Sequence, residues 1–304
     1  MGTPDFAVPS LKALHNCGQN IALVVTQPDR PRGRGRKVHP PPVKMAALDL
    51  ELEIVQPQSI KTPQFEAQMK QIKPDFFVVA AFRNILPANI LAIPQLGTIN
   101  IHASLLPYYR GPAPINWAII NGESRTGVTT MLMEEGLDTG DILLMSEETI
   151  TDRDTAASLH DRLALRGADL IVKTLEAYAD DTVRPVSQNE ARATYAPMLK
   201  KEDGRIDWQQ PAEKLEPFIR GMTPWPGAFT FHGENRFKIF SARPVVKSFK
   251  VPAGTVLPSF PDELEVATGE NALSILEIQG PSGKRLQIKD FLRGYKIKPG
   301  TRLG

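Results

Sequence analysis

The stretch VKMAALDLELEIVQPQSIKTPQFEAQMKQIKPDFFVVAA (43–81) decides the fold. Within it, VKMAALDLEL (43–52) and PQFEAQMKQI (63–72) place apolar residues at helical spacing. Pro42 and Pro63 stand near their first turns, where a missing N–H costs nothing. EIVQP (53–57) and DFFVVAA (75–81) are short apolar runs, the pattern of buried strands. IALVVTQ (21–27) on one side and TINIH (98–102) on the other continue the alternation. Strand, helix, strand at this spacing requires parallel crossovers. The expectation is an α/β architecture with a Rossmann-like, doubly wound, mostly parallel sheet. Such sheets bind ligands beyond the carboxyl ends of their strands, which directs attention to the end of TINIH.

Further along, GVTTMLM and DILLMSEETI lead into one long helical pattern over 154–179. Its apolar residues are Leu159, Leu163, Ala164, Ala168, Leu170, Ile171 and Leu175. From 180 to 204 the chain turns polar and loses periodicity, as a linker does. Beyond it, GAFTFHG, RFKIFSARPV, AGTVLPS, LEVATG and ALSILEIQ are short runs bounded by Gly, Pro, Asn or Ser, which predicts a small antiparallel β-barrel. A chain of 304 residues favours two cores over one. The domain reading is therefore a first domain over 1–180, a linker over 181–203 and a barrel over 204–304.

Composition limits the function classes. A single cysteine, Cys17, excludes an intramolecular disulfide framework and a thiolate metal cluster, and suits a reducing cytoplasm. No run approaches a membrane span, and the first residues lack a basic start followed by an apolar run. The net charge of +2 conceals an uneven distribution. QPDRPRGRGRKVHPPPVK (27–44) carries +5 and residues 284–304 carry +6, so the remainder carries −9. Concentrated positive charge points to a polyanionic partner, although either segment is also what a solvated surface looks like. The Gly, Pro and Arg density of 28–42 marks an exposed loop with little rigidity of its own.

Asn100 and His102 are one residue apart at the end of TINIH, so a strand's period of two sends both side chains to the same face. An amide and an imidazole converging there suit stabilisation of an oxygen that becomes negative during acyl transfer. Asp138 and Asp141 lie in EEGLDTGDI (134–142), a composition that also makes an ordinary turn. The chemical reading brings one of these carboxylates to His102, orienting it and favouring its protonated form. The sequence has no Cys or His cluster at metal spacing, no P-loop and no Gly-x-Gly-x-x-Gly after a strand. GRGRK (33–37) lacks the helix a phosphate loop needs.

INIHASLLPYYRGPAPINWAIINGE (99–123) and TGVTTMLMEEGLDTGDIL (126–143) together resemble the core of the formyltetrahydrofolate-dependent formyltransferases. Asn-x-His, Ser-Leu-Leu-Pro, Arg-Gly-x-x-Pro and Leu-Asp-x-Gly-Asp occur in order. GTPDFAVPSL (2–11), TQPDRPRGRGRKVHPPPVK (26–44), PWPGAF (224–229) and DFLRGYKIKPGTRL (290–303) are most similar to the members that act on initiator tRNA. The resemblance runs over essentially the whole chain. It implies 10-formyltetrahydrofolate as formyl donor, methionyl-initiator tRNA as acceptor, and a monomeric enzyme with no metal. It implies Asn100, His102 and Asp138 as the catalytic trio. Ser104, Leu105, Leu106, Pro107, Ile85, Leu86 and Asp141 match the folate-binding positions, and Arg32, Arg34, Arg36 and Lys37 the insertion that approaches the tRNA. The second domain would resemble an oligonucleotide-binding fold, with its basic end, Lys284 to Arg302, toward the tRNA.

Two departures from the family pattern stand out. AAFRNILP (80–87) places Arg83 where a glycine is usual, and some sugar-amine formyltransferases of the same superfamily carry an arginine near this point. Those enzymes have no evident need for the Arg-rich loop. An RNA-binding protein without catalysis has no use for the trio, and a folate hydrolase that releases formate leaves the basic segments unexplained. In the family, GTPDF follows a buried central strand, whereas here Gly2 comes directly after Met1. The expectation is that this first strand is missing and that the natural product begins about eight to ten residues earlier, the length of one central strand and its margin.

Overall fold

Local chemistry sets the ends of the elements. In the computed structural model, which describes residues 1–32, 37–281 and 283–304, PQFEAQMKQI folds as the helix Pro63–Ile72. Thr62 caps it by accepting the Phe65 N–H, and Lys73 stops it by adopting a left-handed φ of 49°. VKMAALDLEL is helical only to Asp49, because Glu51 takes a left-handed φ of 56° that no continuing helix allows.

The order of elements is α1 (Val8–Asn16), β1 (Val24–Val25), β2 (Arg30–Arg32), β3 (Lys37–His39), α2 (Pro42–Asp49), β4 (Ile54–Val55), α3 (Pro63–Ile72) and β5 (Phe76–Ala80). Then come α4 (Ala88–Leu91), β6 (Gly97–His102), α5 (Pro114–Ile120), β7 (Arg125–Leu132), β8 (Ile142–Thr149) and α6 (Ala156–Ala179). The chain finishes with α7 (Ala212–Met222), β9 (Ala228–His232), β10 (Asn235–Val245), β11 (Leu264–Ala267), β12 (Ala272–Gln279), β13 (Arg285–Gln287) and α8 (Ile288–Gly294). It divides into two compact units. The first comprises Met1–Pro114, Arg125–Thr149 and His160–Ala196, and the second Ile115–Ser124, Ile150–Leu159 and Pro197–Gly304.

In the first unit, apart from the antiparallel β2–β3 ribbon, the strand pairs are parallel up to β6 and antiparallel after it. β1 pairs β4 and β5 pairs β6 in parallel, while β6–β7 and β7–β8 are antiparallel. β6 is therefore an inner strand, and its carboxyl end meets the middle of β7, with His102 opposite Thr129. Helix α6 carries the predicted buried face. A Cβ on its Gly167 would lie 2.9 Å from Ile101 Cγ2, so glycine lets the helix close directly onto the site strand.

The predicted strand over 21–27 shrinks to Val24–Val25, since regular pairing reaches it from β4 alone. Met1 and Gly2 lie between β1 and β5. The Gly2 N–H donates to Val25 O, the Ala80 N–H to Met1 O, and the Met1 amine to Val78 O at 2.6 Å. Alongside is an open pocket of about 300 Å³ whose wall combines apolar Leu14, Val24, Val25 and Met69 with polar Gln19, Asn20 and Asp75. Burial there lowers the Met1 amine from its ordinary 8.0 to about 5.

The second unit contains an antiparallel sheet ordered β11-β12-β10-β9, with β13 on β12. AGTVLPS, expected as a strand, forms only isolated bridges from Thr255 to Arg302 and from Val256 to Val266. Helix α7, unread in the sequence, buries Ala212, Leu215, Ile219 and Met222 on one side. Phe237, Phe291 and Tyr295 pack edge to face and stacked in the same unit.

Candidate active site

Asn100 and His102 leave β6 on one face, as the strand period requires. The half-buried Asn100 amide bonds to no other described residue, so its donors are free for a ligand. His102 is 5% exposed and flanked on both sides. Its Nε2 lies 3.0 Å from the Tyr109 carbonyl, which can only accept, so the proton sits on Nε2. Its Nδ1 faces Asp138 Oδ2 at 3.6 Å. The ring is thus hydrogen-bonded to a carbonyl on one side and faces a carboxylate, beyond hydrogen-bond length, on the other. Asp138 comes from the loop between β7 and β8, where it adopts a left-handed φ of 55°, and its Oδ2 accepts the Gly111 N–H at 2.7 Å. The trio named from sequence is brought together at the carboxyl end of one strand.

The Ser104–Pro107 turn follows directly. Ser104 is fully buried with its hydroxyl donated to Tyr108 O at 2.6 Å, so in this geometry it shapes the turn and presents no free hydroxyl. Thr129 braces the same turn, donating to Ser104 O and accepting the Leu106 N–H. Leu106 and Leu86 are buried, Leu105 and Pro107 half-buried, and Ile85 is 76% exposed. Asp141 is half-buried, and its backbone carbonyl accepts the Leu132 N–H. Arg83 is exposed and does not fill the interior.

The loop before Asp138 is open. Residues 134–137 are exposed, and their backbone N–H and C=O groups bond to no other described residue. Main-chain donors and acceptors lie exposed here beside apolar Leu137. Among the described residues no group of three His, Cys, Asp or Glu is arranged to hold a metal.

Sequence reasoning missed the residues that hold Asp138 in place. Gln188, from the segment read as linker, donates to Asp138 O and Gly140 O, and Arg110 donates in turn to Gln188 and Glu190. The only sequence signal was Arg-Gly within Arg-Gly-x-x-Pro. Gly140 is required by space, for a Cβ there would lie 1.8 Å from the Leu132 carbonyl oxygen.

At the base of the basic segment, Arg30–Arg32 pairs antiparallel with Lys37–His39. Its base is tied by Asp29, which accepts from Lys44 and Gln56; these bonds hold the Asp29 carboxyl below its ordinary range. Arg34 and Arg36 lie outside the described residues, and of Arg32 and Lys37 only the backbone is described. At the carboxyl end, Arg285 is paired with Glu277 and Arg293 with Asp290. No helix among the described residues is long and apolar enough to cross a membrane.

The formyl transferase family model matches residues 1–175, and the formyl transferase C-terminal domain model matches residues 198–296. The methionyl-tRNA formyltransferase of Caldanaerobacter subterraneus subsp. tengcongensis is 50% identical over 302 residues, covering 99% of this chain and 97% of that protein. That of Desulforamulus reducens is 47% identical over 305 residues, covering 100% and 96%. Among solved structures, the N-formyltransferase from Helicobacter canadensis in complex with folinic acid and dTDP-3-aminofucose superposes with a TM-score of 0.65. At 19% identity, over 90% of this chain and 96% of that one, it speaks for the fold alone. The two family models together span nearly the whole sequence and the relatives match it end to end, so this chain belongs to the formyl transferase family.

Proposed function

We propose that this protein transfers the formyl group of 10-formyltetrahydrofolate to the free amino group of methionyl-initiator tRNA, for translation initiation. The observation that carries the reading is full-length identity of about half to proteins of that name, in a chain that sets Asn100, His102 and Asp138 around one strand end. The folate cosubstrate supplies an activated one-carbon unit. Asn100 donates its amide to the formyl oxygen as negative charge develops there, an interaction of the kind that lowers a barrier by about 3 kcal/mol. His102 serves the same oxygen through Nε2–H once Tyr109 O is relinquished or shared. Asp138, held by the Gly111 N–H, lies against the imidazole and sets its orientation. The uncharged amine forms a bond to the formyl carbon, and the bond from that carbon to the folate nitrogen breaks with its electron pair on nitrogen. The proton lost by the amine ends on that folate nitrogen. Neither a covalent enzyme intermediate nor a metal is part of this reading.

Ile85, Leu86, Leu105, Leu106, Pro107 and the 134–141 loop border the folate in this reading, and Ser104 contributes through the turn it stabilises. Arg32, Arg34, Arg36 and Lys37 meet the tRNA phosphates in this reading. The protein acts in the cytoplasm as a monomer. The division into a catalytic domain over 1–180, a linker over 181–203 and a tRNA-binding barrel over 204–304 remains our proposal.

The test is formyl transfer from 10-formyltetrahydrofolate to charged initiator tRNA, with a free amino sugar and water as competing acceptors. Formyl-methionyl-tRNA as the dominant product is the expected outcome. Preferential formylation of the sugar, or release of formate alone, would replace this reading.

A further inference from the structure

Arg110 is the largest side chain buried without any exposure, and the chemistry assigned above gives it no task. A buried guanidinium is tolerated only when its donors are met. Here Nε and Nη2 donate to Gln188 Oε1 at 3.0 and 2.8 Å, while Nη1 and Nη2 donate to the two oxygens of Glu190 at 2.9 and 2.6 Å. The Glu190 hydrogen bonds raise the Arg110 pKa further above its already high ordinary value. Arginine has no acceptor, so the Gln188 amide has one allowed orientation, with its oxygen toward the guanidinium. Its NH₂ must then point the other way. There it donates to Asp138 O at 2.8 Å and Gly140 O at 2.7 Å.

These bonds close a loop. The Arg110 side chain orients Gln188, and Gln188 holds the main chain on both sides of Thr139. Asp138 thereby keeps its left-handed backbone, and its carboxylate reaches the Gly111 N–H and His102 Nδ1. The neighbouring residues Arg110 and Gly111 thus grip Asp138 twice, once through Gln188 and once through the backbone N–H. The segment carrying Gln188 is itself tied down, by Arg110 N–H to Thr194 O and Ala196 N–H to Arg110 O.

We propose that Gln188 is a positioning residue for the formyl transfer: clamped by Arg110, its amide sets the Asp138 carboxylate against His102. This rests on the assignment of Asp138 to the catalytic trio, and the experiment separates the two claims. Turnover, KM for 10-formyltetrahydrofolate and for charged tRNA, and the pH profile of kcat are measured for Gln188→Met, Asp138→Asn and the double variant.

Gln188→Met is expected to lower kcat by about tenfold or more, the scale of coupling between adjoining groups. Both KM values should change less than about threefold, and the pH profile should move in the same direction as that of Asp138→Asn. In the Asp138→Asn background, Gln188→Met should cost nothing further, because its effect runs through that carboxylate. An equal loss of kcat in both backgrounds would overturn the proposal and leave Gln188 a purely structural residue. An Asp138→Asn variant with normal kcat would overturn the trio assignment instead. Should Gln188→Met fail to fold, Gln188→Glu keeps an acceptor for Arg110 while removing both donors to Asp138 O and Gly140 O. It must show the same non-additivity.

Discussion

Extending the chain at its amino end by five or six apolar residues, patterned as a strand, is expected to stabilise it substantially, and the structure sets the scale. The pocket beside Met1 and Gly2 holds about 300 Å³. The pocket is open and part of its wall is polar, so the gain comes from covering the apolar part: a few apolar side chains at ~1.5–3 kcal/mol each give about 5 kcal/mol. That is comparable with the whole stability of an ordinary domain, ~5–15 kcal/mol. A second contribution comes from the amine, lowered by burial from 8.0 to about 5. The unfolded chain takes up this proton near pH 8 and the folded chain only near pH 5. Between those values the unfolded state binds more protons, so stability falls as the pH drops from 8 to 5 and is level outside that window. At ~1.36 kcal/mol per pH unit the fall is about 4 kcal/mol. In the extended chain the amine lies elsewhere and this fall disappears. The assay is denaturant unfolding of both chains from pH 4.5 to 8.5. Equal stability at pH 8, or parallel pH dependence of the two chains, would refute the reasoning.

Asn100→Ala, His102→Ala and Asp138→Ala are each expected to reduce kcat by ~10²–10³-fold or more with little change in folate affinity, since these interactions strengthen as charge develops. Single-turnover rates beside equilibrium folate binding check this, and a variant with near-normal kcat leaves the mechanism. Gly140→Ala would force a Cβ against the Leu132 carbonyl, costing about 1–3 kcal/mol of stability and displacing Asp138. Wild-type thermal stability together with wild-type turnover would contradict it. Neutralising Arg32, Arg34, Arg36 and Lys37 together should flatten the slope of log tRNA affinity against log salt by about 0.9 for each phosphate no longer neutralised, by analogy with duplex DNA. An unchanged slope removes the ribbon from the tRNA interface.

Much of the first unit was legible because its signals are local. Helical and strand periodicity within 43–81, with proline at the helix starts, needs only neighbours within a few residues. The same holds for the shared face of Asn100 and His102, which follows from a period of two. The family motifs added Asp138, some thirty-six residues distant, which spacing alone left as one of two carboxylates in a turn. Element ends were less legible: Glu51 and Lys73 stop their helices by left-handed φ values that nothing in the composition requires. The short β1 likewise depends on which strands reach its edges, a property of the assembled sheet.

What the sequence determined by itself was the alternation of strand and helix and the shared face of Asn100 and His102 at one strand end; the family resemblance added Asp138. Tertiary structure decided how that trio is held. Tyr109 O bonds one nitrogen of His102 and Asp138 faces the other, and a buried arginine and a glutamine from a segment read as linker orient Asp138. Polar residues in an aperiodic stretch carry no pattern that separates a solvated linker from a strap. Gln188 and Glu190 become distinguishable only when folding buries Arg110 and leaves its donors to be satisfied by residues nearly eighty positions away.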